Sequence, residues 1–213
     1  MNPVKYRYIV VEGPIGVGKT SLARRIAAET GAQALLEQPQ DNPFLERFYR
    51  DSTRYALPTQ MFFLFQRMNQ LKDMAQADLF GTPVVSDFLL DKDPIFAALT
   101  LADDELHLYR QMYGHLSQES PLPDLVIYLQ ATPATLSERI RRRGVQSETA
   151  ISETYLQRLC DGYSSFFHHY DASPLLMVNA DRLNPIERSE DFSLLMQRIA
   201  GMRGKREFFN RGE

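Results

Sequence analysis

The chain has 213 residues, of which 44% are hydrophobic, 24% charged and 11% aromatic, and its formal net charge is -3. This composition is globular, and the small negative charge disfavours a nucleic-acid or anionic membrane partner. The single cysteine, Cys160, excludes an internal disulfide and a multi-cysteine zinc site. No apolar run approaches the ~18 residues of a membrane span, and the N-terminus lacks a signal-peptide pattern. We therefore expect a cytoplasmic protein with one domain over residues 1–213.

Five short apolar segments, several of them rich in β-branched residues, are predicted as strands. They cover residues 8–12, 34–37, 83–86, 125–129 and 175–178. Helical spacing predicts helices at 20–28, 44–49, 58–78, 103–117, 133–142, 152–170 and 188–199. This alternation indicates an α/β fold with a five-stranded parallel sheet and helices on both faces. The charged C-terminal tail, residues 203–213, is expected to fray.

A complete phosphate-loop motif lies between the first predicted strand and the helix that follows it. Its residues are Gly13, Pro14, Ile15, Gly16, Val17, Gly18, Lys19 and Thr20, which match G-x-x-x-x-G-K-[ST] at every fixed position. The glycines let successive backbone N–H groups point at phosphate oxygens, and the helix N-terminus favours an anion. Lys19 is predicted to contact the β- and γ-phosphates, and the Thr20 hydroxyl to hold Mg²⁺. The motif predicts that the chain binds a nucleoside triphosphate.

The surroundings of this motif favour a kinase over other triphosphate-binding classes. A GTP switch needs an N-K-x-D element, which does not occur in the chain. The D-x-x-G letters at 78–81 precede the third predicted strand, whereas in such switches they follow it. A motor is normally larger, so a compact kinase for a small acceptor is the favoured class.

Carboxylates follow two neighbouring predicted strands, Glu37 after the second and Asp87 after the third. Ligands of an open α/β sheet bind beyond the carboxyl ends of its strands. A kinase that acts on an alcohol needs a base near the hydroxyl and a carboxylate that organises Mg²⁺. Glu37 and Asp87 meet both needs, and an ordinary loop or helix-cap role explains them equally well.

The predicted helix 58–78 carries Gln60, Phe63 and Arg67 on one face. A glutamine amide can pair with the edge of a base, and a phenylalanine beside it can stack on the base. Spacing alone favours the alternative, a mostly buried helix with one solvated polar edge.

Arg139 and Arg143 share a helical face within a basic cluster that ends at Gly144. Such a cluster could close over the charge of a transferring phosphoryl group. The alternative is a solvated charged face, since cations are favoured at a helix C-terminus.

Taken together, these segments resemble the deoxynucleoside kinase family, and in particular its bacterial deoxyadenosine/deoxyguanosine kinase branch. The resemblance extends over about residues 6–181, and its motifs are those at 8–20, 37–45, 60–67, 84–87 and 139–148. It implies transfer of the γ-phosphoryl of ATP, with Mg²⁺, to the 5'-hydroxyl of a deoxyribonucleoside. A purine base is the expected preference, nucleotide salvage the expected role, and a homodimer the expected assembly.

The resemblance also implies roles for individual residues. Glu37 matches the glutamate that activates the 5'-hydroxyl, while Tyr49 and Glu148 match residues that contact the sugar 3'-hydroxyl. Gln60 matches the glutamine that pairs with the base, and Arg67 an arginine near the base edge. The remaining matches are Arg139 and Arg143 in a lid over about 139–150, and Asn179 to Asp181 in the loop beside the ATP adenine.

The chain departs from the family pattern after the third predicted strand and in the lid. Many members have Glu-Arg-Ser where this chain has Ser86-Asp87-Phe88, so the arginine that pairs with Glu37 has no clear counterpart. Lys92 or an arginine from elsewhere could replace it, and Asp91 and Asp93 are both candidates for the base-discriminating acid. In the lid, Val145 and Ser147 stand where many members have an arginine and an acid.

Three other functions stay open at this point, and the third of them is a nucleic-acid-binding ATPase, which DNA or RNA would stimulate. A thymidylate-type nucleoside monophosphate kinase would share the fold, but it needs further cations for the acceptor's phosphate, and the segment around Gln60 offers only Arg54 and Arg67. A non-catalytic ATP-binding module that docks a partner protein is the second alternative.

Overall fold

The structure is a computed structural model that describes residues 5–77, 81–117, 120–145, 148 and 151–210. Its strands are β1 (Tyr8–Glu12), β2 (Gln33–Leu35), β3 (Val84–Ser86), β4 (Leu125–Gln130), β5 (Leu175–Asn179) and β6 (Arg206–Phe209). They form one sheet in the order β2-β3-β1-β4-β5-β6, and every neighbouring pair is parallel. The prediction of an α/β fold with a parallel sheet is confirmed.

The predicted number of strands is wrong, because the sheet has six strands and not five. The additional strand, β6, lies within the tail that was expected to fray. The Glu207 carboxylate accepts the backbone N–H groups of Arg203 and Gly204 at 2.9 and 2.8 Å, which closes a turn before the strand. Phe209 then packs against the buried core. The charged residues around this turn make the strand hard to predict from the sequence.

The helices are α1 (Lys19–Thr30), α2 (Leu45–Arg50), α3 (Ser52–Ala77), α4 (Asp93–Thr100), α5 (Asp103–Leu116), α6 (Pro133–Arg143), α7 (Glu153–His169) and α8 (Ser189–Gly201). Helix α4 is absent from the predicted set. Helix α3 begins at Ser52, upstream of the predicted start, so Pro58 lies inside it. The Asp51 carboxylate explains this start, because it accepts the N–H of Arg54 at 3.2 Å and caps the helix.

The core has two parts, one on each face of the sheet, as expected when side chains alternate along buried strands. Ile9 and Val11 face helices α1, α6 and α8, whereas Tyr8 and Val10 face α3, α4, α5 and α7. Among the residues that the structure describes, no helix combines the length and the apolar character that a membrane span requires.

The carboxyl ends of β1, β3 and β2 lie at one edge of the sheet. β1 ends at Glu12, β3 is followed by Asp87, and β2 by Glu37. Acidic side chains therefore gather beside the loop that joins β1 to α1.

Candidate functional site

The loop from Gly13 to Thr20, here called the glycine loop, connects β1 to α1 and needs glycine for two reasons. Gly16 and Gly18 adopt φ values of 84° and 100°, a region that strains other residues. A Cβ on Gly18 would also lie 2.3 Å from Cδ1 of Ile186, and one on Gly16 would lie 2.8 Å from Cγ1 of Ile140. The backbone thus curls against its neighbours in a way that no larger residue permits.

The Lys19 side chain folds back into the glycine loop. Its Nζ donates to the carbonyl oxygens of Gly13 at 2.7 Å and Pro14 at 3.3 Å. Burial lowers the pKa of Lys19, and the nearby Glu12 carboxylate opposes that effect. A cavity of about 330 Å³ opens beside the loop, and its lining includes Lys19, Thr20, Arg139 and Arg143. Cationic side chains therefore line one space that can take an anion.

Thr20, which lines this cavity, and Asp87 place two oxygen atoms side by side. The Thr20 hydroxyl donates to Oδ2 of Asp87 at 2.5 Å, and Oδ1 of Asp87 accepts the backbone N–H of Glu37 at 2.8 Å. Burial raises the pKa of Asp87, partly offset by the Thr20 hydrogen bond. Hydroxyl and carboxylate oxygens are the ligands that Mg²⁺ prefers, usually together with substrate phosphates. In the described part of the chain, no cluster of three or more His, Cys, Asp or Glu side chains could hold a metal ion.

The Glu37 carboxylate is held by two cations. Its Oε1 accepts from Arg67 Nε at 2.6 Å, lies 2.5 Å from Arg67 Nη2 and lies 3.5 Å from Nζ of Lys92. Burial alone would raise the pKa of Glu37, but Arg67, Lys92 and Lys19 outweigh it and lower that pKa to about 2. Glu37 is therefore an ionised carboxylate at neutral pH.

Arg67 also forms an ion pair with Asp93. This contact indicates which of the two candidate acids, Asp91 or Asp93, lies in the site. Arg67 Nη1 lies 2.5 Å from Oδ1 of Asp93, and the Tyr109 hydroxyl also lies near this carboxylate. Burial raises the pKa of Asp93, and the Arg67 charge opposes it. Asp91 lies outside this cluster, beside the Tyr113 hydroxyl. Of the two acids, Asp93 therefore shares the site with Glu37.

Glu12 is a member of the site that the sequence reasoning missed. It is 0% exposed, and its Oε1 accepts the N–H of Gly13 at 2.8 Å and the hydroxyl of Tyr163 at 3.0 Å. Its Oε2 accepts the N–H of Leu89 at 2.8 Å and lies 3.4 Å from Nζ of Lys92. The available signal was a lone acid at the end of an otherwise apolar strand, since a buried acid requires partners.

The polar face of α3 is buried, contrary to the solvated edge that spacing alone favoured. Gln60 and Arg67 are 6% and 5% exposed. Gln60 Nε2 donates to the Thr100 hydroxyl at 3.4 Å, and that hydroxyl donates to the Phe96 carbonyl at 2.7 Å. The guanidinium of Arg67 lies 5.1 Å from the ring centre of Phe63. The structure therefore brings Gln60, Phe63 and Arg67 to one enclosed face.

The arginines of α6 differ from one another in their contacts. Arg139 donates to the carbonyl oxygens of Val17 at 3.2 Å and Ala180 at 2.7 Å, so it joins the glycine loop to the loop after β5. Arg143 instead forms an ion pair with Glu148. The lid positions 146, 147, 149 and 150, among them Ser147, lie outside the described residues.

Tyr49 and Glu148, which the resemblance assigns to the sugar, lie close together. Burial raises the pKa of Tyr49, and the charge of Glu148 raises it further. Asn179 and Asp181 instead organise the loop after β5. Asn179 Oδ1 accepts the N–H of Asp181 at 3.0 Å, and the Asp181 carboxylate accepts the N–H of Thr132 at 3.1 Å.

Known proteins are similar to this chain both in sequence and in fold. A deoxyguanosine kinase from Bacillus subtilis is 34% identical over 197 residues, which are 90% of this chain and 95% of that protein. A deoxyadenosine kinase from Lactobacillus acidophilus is 32% identical over 190 residues, covering 83% of this chain and 86% of that protein. The structure of deoxyadenosine kinase from M. mycoides with bound dCTP aligns with a TM-score of 0.80 and 26% identity, covering 92% of this chain and 100% of that one.

The family model for deoxynucleoside kinase matches residues 9–202. The chain therefore belongs to the deoxynucleoside kinase family. The predictions of this family, and of an enzyme that phosphorylates a deoxynucleoside, are confirmed.

Proposed function

We propose that the protein transfers the γ-phosphoryl group of ATP to the 5'-hydroxyl of a purine deoxyribonucleoside, giving the 5'-monophosphate for nucleotide salvage. The observation that carries this proposal is the direct line of contacts from the glycine loop to Glu37. Asp87 bridges the two, at 2.5 Å to the Thr20 hydroxyl and 2.8 Å to the Glu37 backbone. A phosphate-binding loop and an ionised carboxylate are thereby held side by side.

In the proposed reaction the glycine loop and Lys19 bind the ATP phosphates, while Thr20 and Asp87 hold Mg²⁺. When bound, Mg²⁺ neutralises charge on the phosphate oxygens. The 5'-oxygen forms a bond to the γ-phosphorus, the bond from that phosphorus to the ADP oxygen breaks, and the hydroxyl proton passes to Glu37. A carboxylate with a pKa near 2 is a weak base. It suits a loose transition state, in which the hydroxyl becomes acidic only as its bond to phosphorus forms.

The arginines of α6 are proposed to stabilise the transferring phosphoryl group. Arg139 and Arg143 line the same cavity as Lys19 and Thr20. Cations beside this cavity would stabilise the charge that develops on the phosphoryl oxygens. Asn179 and Asp181 are proposed to border the adenine of ATP, because they shape the loop after β5 next to this cavity.

The nucleoside is proposed to lie between α3 and the start of α7. Tyr49 and Glu148 would hold the sugar 3'-hydroxyl, while Gln60, Phe63 and Arg67 would contact the base. Asp93 adds an acceptor beside Arg67, so this face offers both donors and acceptors to a purine edge. The names of the deoxyguanosine and deoxyadenosine kinases to which the chain is similar support the purine preference.

The test is release of ADP from ATP and Mg²⁺ in the presence of deoxyadenosine, deoxyguanosine, deoxycytidine, thymidine, AMP or dTMP. We expect turnover with the nucleosides, fastest with a purine, and none with the two monophosphates. Turnover only with a monophosphate would establish a nucleotide kinase instead. ATP binding without any acceptor-dependent ADP release would favour the partner-docking module.

We further propose a cytoplasmic homodimer in which α3 and α5 form the contact. Helices α3 and α5 contact each other, and each exposes a large apolar side chain, Phe65 at 43% and Leu108 at 48%, that a second copy could cover. Light scattering should give twice the 24.5 kDa mass of the chain. A mass of one chain at all concentrations would reject this assembly.

A further inference from the structure

Lys92 is a buried lysine that lies between two carboxylates. It ends a short 3-10 helix, Leu90–Lys92, which leads into α4, and it is 2% exposed. Its Nζ is 3.4 Å from Oε2 of Glu12 and 3.5 Å from Oε1 of Glu37. It also lies 5.3 Å from the ring centre of Phe96. A lysine is almost never buried so fully unless its charge is paired, so these contacts are the reason for its position.

The two carboxylates differ in how firmly they are held. Glu12 ends the central strand β1, and both its oxygens accept hydrogen bonds from backbone N–H groups of the core. Glu37 instead follows β2, a three-residue strand at the edge of the sheet. A side chain on such a loop depends on its partners for its position. Lys92 therefore connects Glu12, which the core holds in place, to Glu37, whose position depends on its ion pairs.

Both cations contact the same oxygen of Glu37. Arg67 approaches Oε1 from α3, and Lys92 approaches Oε1 from the segment after β3. The hydrogen bonds and ion pairs that Arg67 and Lys92 make with this carboxylate involve Oε1. Oε2 takes no part in these contacts, so it is the oxygen that can accept the hydroxyl of the nucleoside. Two cations from two elements thus define which way the carboxylate is turned.

We infer that Lys92 is a positioning residue for the phosphoryl transfer, whose ammonium group holds Oε1 of Glu37 so that Oε2 faces the 5'-hydroxyl. This inference rests on the proposed function, because it assigns Glu37 the role of base. No arginine follows β3 in this chain, because Asp87 and Phe88 stand there, and Arg67 and Lys92 supply the cations at Glu37 instead. Lys92 acts through Glu37 and does not touch the reacting atoms.

A purely structural role must be separated from this one, because Lys92 also neutralises the buried Glu12. We therefore compare Lys92→Met, Glu12→Gln and the double variant with the wild type. Methionine keeps an unbranched side chain but removes the charge. In the double variant no unpaired charge of the Lys92–Glu12 pair remains, so any further loss comes from the other carboxylates near Lys92, which are Glu37 and Asp93. The Glu37→Gln background separates these two. Lys72→Met, on the exposed surface of α3, is the matched control.

We expect Lys92→Met to lower kcat roughly 100-fold, which is the lower end of the rate enhancement that a positioned general base supplies. The KM for ATP should change little. The double variant should fall by a similar factor relative to Glu12→Gln. In a Glu37→Gln background, Lys92→Met should have almost no further effect on kcat, because two residues that act as one unit are not additive. Lys72→Met should match the wild type.

The inference is overturned if the double variant has the kcat of Glu12→Gln, because Lys92 then serves Glu12 alone. It is equally overturned if Lys92→Met folds and keeps the wild-type kcat. Should Lys92→Met fail to fold, the comparison between the double variant and Glu12→Gln still decides. Failure of the proposed function is a different result, since the wild type itself would then release no ADP in response to a nucleoside.

Discussion

The two sides of the site hold similar ion pairs in opposite environments. The acceptor side consists of Glu12, Glu37, Arg67, Lys92 and Asp93, and the lid side of Arg139, Arg142, Arg143, Glu148 and Glu187. On the acceptor side, the side chains of Arg67 and Lys92 are 7% and 2% exposed. On the lid side, those of Arg143 and Arg142 are 49% and 67% exposed.

This difference in burial separates side chains that are held in one position from side chains that can exchange their partners. Removing one member of a buried pair leaves an uncompensated charge in a place that water does not reach. An exposed pair contributes little, so its arginine can exchange a carboxylate for a phosphate oxygen at small cost. The acceptor side is thus held in one geometry, and we expect the arginines of the lid side to be able to exchange partners.

The largest expected effect on activity comes from removing the proposed general base of the acceptor side, Glu37. Glu37→Gln should lower kcat by roughly 10²–10⁴-fold, because the amide cannot take the hydroxyl proton. The KM for ATP should change little, since the backbone N–H of Glu37, and not its side chain, is linked through Asp87 to Thr20 of the glycine loop. Steady-state kinetics with a deoxynucleoside measures both quantities. A variant with near-wild-type kcat would remove Glu37 from the role of base.

Arg67→Met should give the largest loss of stability. It leaves Glu37 and Asp93 without the guanidinium that both contact at 2.5 Å. The free energy of unfolding should fall by about 3–5 kcal/mol, the usual result when one partner of a buried pair is removed. Urea denaturation of the folded protein measures this change. A loss below about 1 kcal/mol would mean that the acceptor side tolerates an unpaired charge as an exposed surface does.

Local patterns in the sequence were sufficient for the glycine loop and for the parallel arrangement of the sheet. The loop motif depends on consecutive residues, and β1, β4 and β5 are apolar runs that need no distant information. The strand β6 was missed because its pairing with β5 and the packing of Phe209 stabilise it, and neither contact is visible in the charged letters that precede it.

The partners within the site were harder to predict because they come from remote parts of the chain. Glu12 binds the N–H of Leu89 and the hydroxyl of Tyr163, which lie 77 and 151 residues away in sequence. Nothing in the sequence around Glu12 indicates either contact. The cations that hold Glu37 were named beforehand only as alternatives, since the choice between Lys92 and a remote arginine depends on the path of α3. The structure uses both.

The smallest expected change in stability is on the lid side. Arg143→Met breaks the ion pair with Glu148, but both side chains reach solvent in part, so the free energy of unfolding should change by less than about 1 kcal/mol. The same substitution should lower kcat by roughly 100-fold if Arg143 stabilises the transferring phosphoryl group. Urea denaturation and steady-state kinetics on this one variant, compared with Arg67→Met, separate the two sides. If Arg143→Met were as unstable as Arg67→Met, the Arg143–Glu148 ion pair would stabilise the fold, and Arg143 would not be able to exchange Glu148 for a phosphate at small cost.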